Sequence, residues 1–248
     1  DMDRADYLKR DSFYTGVAEG NINSERLITM LNVVDDELVI EEKGIYSVEK
    51  FLTARRLMYW QVYLHKTSLV AENLLIRLLQ RAKELTLKGE QLEASKALLF
   101  FLNNSVSKSD FNNDILNTFA QLDDVDILAA MKAWQHHDDF VLKNLSQMIM
   151  ERELLKIKFK NKKVNSASFE KHIKDLMVKY NISHEEASYF VFGGDVTNQA
   201  YQSTEQKINI LLKTGKVKDI IRASDHLNLK VLSKPVTKYY ICYPKAKL

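Results

Sequence analysis

Seven glycines and two prolines in 248 residues leave this chain few places to turn. Average usage would supply about 17 Gly and 12 Pro. An all-β sandwich or barrel needs turn formers at short intervals, and a Pro/Gly-rich disordered chain needs the opposite composition. Both are excluded, and the shortage predicts long helices. With 46% hydrophobic and 28% charged residues the chain carries apolar material for a real core and enough charge to stay dissolved. Its longest unbroken apolar run, Ala97–Leu102, falls far short of the ~20 residues of a bilayer-spanning helix. A single cysteine, Cys242, rules out an internal disulfide and a Cys-based zinc site. It fits a reducing compartment, so a cytoplasmic location is expected. The first residue is Asp1 and no charged-then-apolar leader follows, so the chain is expected to be a piece of something longer.

The net charge of +3 is too small to argue for nucleic acid, but it is unevenly spread. Glu205–Leu248 holds ten Lys/Arg against three Asp/Glu, which leaves the remainder net acidic. Such a segment suits an anion, a partner subunit or RNA; the alternative is a solvated rim on a small sheet.

Along the chain, Asp1–Tyr14 has helical charge spacing and stops at Gly16 and Gly20. Asn23 or Ser24 caps a short helix running through Leu31. Glu37–Tyr46 reads as a hairpin turning at Lys43-Gly44, and Ser47 as the next N-cap. From Val48 to about Leu85 there is neither Gly nor Pro, which predicts one central helix of roughly 55 Å. Further helices are expected near 90–102, 110–119, 124–136, 138–160, 166–180 and 184–191. Asp123 or Asp124 and Asp138 or Asp139 are the caps of the 124–136 and 138–160 helices. Gln206–Ile221 then alternates around Thr214-Gly215 as a hairpin, and Val236–Tyr243 is a strand closed by Pro244. The fold class is mainly α: a helical body over 1–160 with small hairpins, and a basic α+β lobe over 161–248.

Two stripes carry the chemistry. Asp3, Tyr7 and Asp11 lie i, i+4, i+8, within about 80° of one helix face. Carboxylate, phenol and carboxylate do not make a greasy face; they suit a metal or a polar ligand. Arg4 beside them can reach a phosphate. The competing reading is an exposed amphipathic helix with Asp–Arg pairs. Arg55, Tyr59, Tyr63 and Lys66 form a second stripe over a similar arc. Two cations bracketing two rings suit a nucleotide's phosphates, sugar and base; core aromatics with snorkelling cations are the alternative.

Asp1-x-Asp-Arg-x-Asp-Tyr-x-x-Arg-Asp11, the glycines after it, and Arg55-x-x-x-Tyr-x-x-x-Tyr-x-His-Lys66 resemble the HD-domain phosphohydrolases. The resemblance is to deoxynucleoside triphosphate triphosphohydrolases of the sterile-alpha-motif/HD type and their bacterial counterparts. It covers roughly residues 1–85 and continues more thinly through Leu122–Asp126, Trp134, His137-Asp138 and Arg152–Lys156. It implies an HD-like helical body and cleavage of a dNTP to deoxynucleoside and triphosphate. It also implies a divalent metal (Mn, Fe, Mg or Zn) held by a His, a His-Asp pair and a later Asp. Asp3 matches that later Asp. Arg4 and Arg55 match phosphate-binding positions, Tyr7 and Asp11 the residues on the sugar 3′-hydroxyl, and Tyr63 the ring crowding the sugar's 2′ edge. His65, Lys66, Arg152 and Lys156 match positions near effector nucleotides.

The chain departs from the pattern in three ways. The family's first His, its His-Asp pair and its catalytic His precede the segment that begins at Asp1. Leu64 stands where relatives carry a polar base contact, and Tyr59 where a His is frequent. His137-Asp138 lies on the wrong side of Asp3 in chain order, and Asp138 reads as a cap. The other histidines, His65, His136, His172, His184 and His226, show no ligand spacing. The expectation is therefore no tightly held metal and no catalytic residue in this chain alone. It would be part of an enzyme or, alternatively, a nucleotide-binding and oligomerisation module. Its expected partners are a nucleoside triphosphate, the segment preceding Asp1 and further copies of itself as a dimer or tetramer, with no membrane and no nucleic acid.

Overall fold

A computed structural model describes residues 2–198, 201, 207–225 and 234–245. Parts of the basic segment 205–248, His226 among them, lie outside the described residues. The chain is mainly α-helical with two small sheets. It divides into two compact units, residues 1–68 with 195–238 and residues 69–194 with 239–248. This partition interleaves the sequence and differs from a division at residue 160. No helix among the described residues is long and apolar enough to cross a membrane.

The first unit opens with α1 (Met2–Thr15), which buries Leu8 and Ser12 and carries the Asp6–Arg10 ion pair on its exposed side. Asn23 caps α2 (Ser24–Thr29) by accepting from the Arg26 N–H at 3.0 Å. That helix stops short of Leu31 because Leu31 opens β1 (Leu31–Val34), paired antiparallel with β2 (Glu37–Glu41). The hairpin therefore turns at Asp35-Asp36, both at positive φ (51° and 61°), and not at Lys43-Gly44. Gly44 has a different reason to be glycine: a Cβ there would sit 2.6 Å from Ile40 and 3.0 Å from Met30. α3 (Ile45–Met58) begins directly after it, which places Ser47 inside the first turn and not at the cap.

The expected single helix over 48–85 does not form. Tyr59–Tyr63 is a π-helical turn, closed by the Leu64 N–H on the Tyr59 carbonyl at 2.7 Å. The chain turns at Leu64-His65 before α4 (Lys66–Leu87). No Gly or Pro marks the break, because one extra residue per turn needs neither. β5 (Asn209–Leu211) and β6 (Val217–Asp219) form the hairpin expected around Gly215, and α11 (Ile220–Ala223) follows. The sheet order is β1-β2-β5-β6, with β5 parallel to β2 through Ile40↔Ile210. Val48, Leu52, Tyr201, Ile210 and Ile220 are its core.

The second unit holds most of α4, then α5 (Lys96–Asn103), α6 (Asn113–Phe119), α7 (Asp124–Trp134) and α8 (Phe140–Met150). Residues 90–95 are not helical as expected; the Trp134 indole donates to the Glu93 carbonyl there at 2.9 Å. Asp123 caps α7, and Asp139, not Asp138, caps α8. The helix expected over 138–160 ends at Met150, and Lys156–Lys160 is a strand, β3. Its alternation of Lys with Ile and Phe has period two: the lysines are exposed, while Ile157 and Phe159 are half-buried, Phe159 against the Tyr240 ring. α9 (Ser166–Tyr180) and α10 (His184–Ser188) follow, and of β4 (Phe192–Asn198) and β7 (Val236–Tyr243) this unit holds the residues up to 194 and from 239 on. The second sheet runs β3-β7-β4.

Candidate substrate-binding site

The two stripes meet in the first unit. Gly20 permits the approach: a Cβ there would lie 2.6 Å from Met58 Sδ and 2.8 Å from Ser12 Cβ. Leu8, Ile22, Ala54 and Met58 are buried together, with Tyr7, Val62 and Tyr63 packed against them. The Ser12 hydroxyl donates to the Val17 carbonyl at 2.7 Å and holds the turn after α1 in place. With Leu8 and Ser12 facing inward, Tyr7 and Asp11 fall at the seam, half-buried, while Asp3 is exposed.

At that seam the Tyr63 hydroxyl donates to Asp11 Oδ2 at 2.6 Å. The Tyr7 ring stands edge-on to Tyr63 with centroids 5.9 Å apart, and Tyr59 to Tyr63 at 5.1 Å. The Arg55 guanidinium lies over the Tyr59 ring at 5.3 Å. Burial, then the hydrogen bond to Asp11 and its charge, push the Tyr63 phenol far above its usual pKa, so it remains a donor. Burial and the neighbouring Tyr59, to which it is hydrogen-bonded, raise Tyr7; the nearby charges of Arg55 and Arg4 act against that rise. Arg4, Tyr7, Asp11, Arg55, Tyr59 and Tyr63 thus form one cluster.

The cluster brings together cationic, hydrogen-bonding and flat apolar groups. Guanidinium groups take phosphate oxygens, phenols and a carboxylate take hydroxyls, and the rings present flat apolar faces to a sugar. A carboxylate has about four lone-pair sites, so the bond from Tyr63 leaves Asp11 acceptor capacity for a ligand hydroxyl. Asp3 is a single exposed carboxylate. Among the described residues no group of three or more His, Cys, Asp or Glu is placed to hold a metal. These residues fit one donor of a divalent-metal centre and not the centre itself.

His137-Asp138 has a structural occupation. The Asp139 N–H donates to His137 Nδ1 at 3.0 Å, His137 Nε2 lies 3.7 Å from Glu90, and Asp138 is exposed. His65 and Lys66 are exposed where the π turn leads into α4, and His65 Nδ1 accepts from the Thr67 N–H at 3.3 Å. Arg152 and Lys156 belong to the second unit: Arg152 is exposed at φ 60° after α8, and Lys156 opens β3. The feature that sequence reasoning missed is the Asp11–Tyr63 bond. It joins residues 52 positions apart across a π turn, and no local pattern encodes it.

Residues 22–99 match the HD-associated region family. A solved structure of a phosphohydrolase from Bacteroides thetaiotaomicron is 50% identical, with a TM-score of 0.93 over 99% of this chain and 61% of that one. The protein YwfO of Bacillus subtilis is 30% identical over 99% of this chain and 55% of its own length. A deoxynucleoside triphosphate triphosphohydrolase SAMHD1 homolog of Dictyostelium discoideum is 29% identical over 40% of this chain and 19% of its own length. The chain thus spans little more than half of the longer proteins it matches end to end. These likenesses, together with the clustered arginines, phenols and carboxylate, fit an HD-type phosphohydrolase.

Proposed function

We propose that this chain supplies the sugar- and phosphate-gripping side of an HD-type phosphohydrolase that converts deoxynucleoside triphosphates to deoxynucleoside and triphosphate. The observation that carries the reading is the Asp11–Tyr63 clasp with Arg4 and Arg55 beside it. Asp11 and Tyr7 hold the sugar 3′-hydroxyl. Tyr63, its hydroxyl tied to Asp11, keeps its ring against the 2′ edge, where a ribose hydroxyl would collide. Arg4 and Arg55 neutralise phosphate oxygens, with Tyr59 alongside them. A divalent metal (Mn, Fe, Mg or Zn), for which Asp3 is one ligand, supplies Lewis acidity in the whole enzyme. One carboxylate does not hold a transition metal tightly, so the 248-residue chain alone is without hydrolase activity. His65, Lys66, Arg152 and Lys156 contact effector nucleotides in a dimer or tetramer.

The test is deoxynucleoside release by the full-length protein, followed chromatographically. Asp3→Ala removes metal and turnover. Asp11→Ala removes a hydrogen bond to a charged group, worth about 1.5–3 kcal/mol, and so lowers kcat/KM by about 10- to 150-fold. Tyr63→Ala raises the use of ribonucleotides relative to deoxynucleotides. Turnover retained in Asp3→Ala, or an unchanged kcat/KM in Asp11→Ala, overturns the assignment. Triphosphate release by the isolated chain with manganese or iron overturns its inactivity. The arginine, phenols and carboxylate of the cluster suit a bound nucleotide whether or not it is cleaved, which supports one second reading: a nucleotide-binding and oligomerisation module. Nucleotide binding by the full-length protein with no turnover under any metal would select it.

A further inference from the structure

α6 is a seven-residue helix in which no residue is buried, and a helix so short does not hold by itself. What seats it is a set of ring contacts: Phe119 stands edge-on to Phe101 of α5 at 5.9 Å and to Phe111 at 6.2 Å. Phe101 is in turn edge-on to Phe100 at 5.1 Å. These contacts use only part of the apolar surface, and Phe111, Leu116 and Phe119 remain 45%, 53% and 54% exposed. At ~150–250 Å² for an aromatic side chain and less for leucine, the three leave on the order of 300 Å² of apolar surface in water. A patch of about 300–600 Å² is the largest on a typical monomer and is often functional.

The chain around this face is acidic. Between Ala97 and Met131 the charged residues are Lys108 and five aspartates, at 110, 114, 123, 124 and 126. Among the described residues none of the five aspartates forms a salt bridge. Three of them act locally: Asp110 and Asp126 each accept from the backbone N–H of a cap residue, and Asp123 caps α7. The Ser107 hydroxyl and N–H hold Asp110, and Ser95 with the Asp123 N–H holds Asp126, below the ordinary carboxylate pKa, so both stay charged. Asp114 and Asp124 are exposed in the first turns of α6 and α7.

We propose that the Phe111, Leu116 and Phe119 face is a docking site for a cationic amphipathic helix of another protein, its apolar stripe on the rings and its Lys/Arg residues on the aspartates. Lysine and arginine stems lie along apolar surface while their heads reach carboxylates at its margin. Residues 88–155 hold no strand, so the face offers an extended peptide no backbone ladder; a helix arrives with its own backbone bonds made. An anionic lipid surface would be repelled by the same carboxylates. A second copy meeting this face with its own would set like charges together.

The test is fluorescence anisotropy of the full-length protein with a labelled amphipathic Leu/Lys helix of about 18 residues, beside a Leu/Glu counterpart. The Leu/Lys peptide binds, more weakly as salt rises, and the Leu/Glu peptide does not. Phe119→Ala weakens binding at least about tenfold, as the loss of an aromatic anchor does. Asp114→Asn/Asp124→Asn, which leaves the capping boxes intact, weakens it about threefold or more at low salt and flattens the salt dependence. Circular dichroism checks the fold; if Phe119→Ala is unfolded, Leu116→Asn on the same helix is read for a loss of about fivefold or more. No binding, equal binding of both peptides, an affinity unchanged in the folded apolar variant or a salt dependence unchanged in the Asn variant overturns the proposal. So does a fall in the protein's own oligomer size in the apolar variant, which would give the face to a second copy.

Discussion

Asp139 performs two tasks with one carboxylate, and removing it separates them. Oδ1 accepts from the Leu142 N–H at 2.8 Å, capping α8, and from Arg81 Nε at 3.1 Å; Oδ2 accepts from Arg81 Nη2 at 2.5 Å. The two side chains are 11% and 9% exposed. Arg81 also reaches Glu84 at 3.2 Å, and Glu84 accepts from the Tyr189 hydroxyl. Asp139→Ala loses a cap, about 1 kcal/mol, and strands a buried guanidinium, a change that costs about 3–5 kcal/mol when no partner remains. Because Glu84 does remain, the expected total is about 3–4 kcal/mol, a large share of a typical 5–15 kcal/mol stability. Asp139→Asn keeps a cap acceptor and is expected to lose about 2 kcal/mol.

Urea unfolding at pH 7 with unchanged m-values reads these differences. Arg81→Met/Asp139→Ala removes both members of the buried pair and leaves only Glu84, 39% exposed and still bonded to Tyr189, so it should be milder than Asp139→Ala alone. A loss below about 1 kcal/mol in Asp139→Ala, or a double variant as damaging as the sum of the singles, refutes the reasoning. The pH dependence has a defined sign. Burial pulls the Asp139 pKa upward, but the Arg81 hydrogen bonds, the Leu142 N–H and the Arg81 charge win and hold it below the usual carboxylate value. Its contribution is therefore present above the unfolded-state pKa of about 3.9 and is lost as pH falls through the lower folded value. Asp139→Asn should flatten that acid limb.

Two further outcomes are expected. Gly193→Ala would place a Cβ 2.4 Å from the Tyr240 carbonyl oxygen and 2.8 Å from Phe169; because backbone cannot yield, a loss of about 2–3 kcal/mol in thermal unfolding is expected, and an unchanged melting temperature would contradict it. Cys242 is fully buried and its thiol is pushed up to about 12, so it should resist alkylation at pH 8 in the native protein and react once urea unfolds it. Rapid native labelling would mean that β7 is open to solvent.

Local chemistry was legible where one residue type has one local use. Asn23, Asp123 and Asp139 cap their helices by accepting backbone N–H bonds a few residues on, and such bonds depend on nothing distant. The 166–180 helix, capped by Asn165, falls at its expected bounds for the same reason, and the 236–243 strand ends as expected where Pro244 follows it. The Arg55–Tyr59–Tyr63 stripe was visible as spacing. Its partnership with Tyr7 and Asp11 was not, because it depends on how α1 seats against α3 over Gly20. The turn at Asp35-Asp36 was hidden because Asp adopts positive φ less readily than the Gly nearby at position 44, which is small for packing. Lys156–Lys160 was read as the charged end of a helix because its apolar face has meaning only beside β7.

Composition and short-range hydrogen-bonding chemistry alone thus determined a mainly helical chain and the caps at Asn23, Asp123 and Asp139. These are properties of segments a few residues long. Tertiary structure alone decided that the long helix breaks into a π turn at Tyr59–Tyr63, that Tyr63 locks onto Asp11, and that a lysine-rich segment becomes an edge strand. Each of those outcomes trades a regular local hydrogen-bond pattern for contacts between residues far apart in sequence, and the energy of such contacts exists only once the chain has folded.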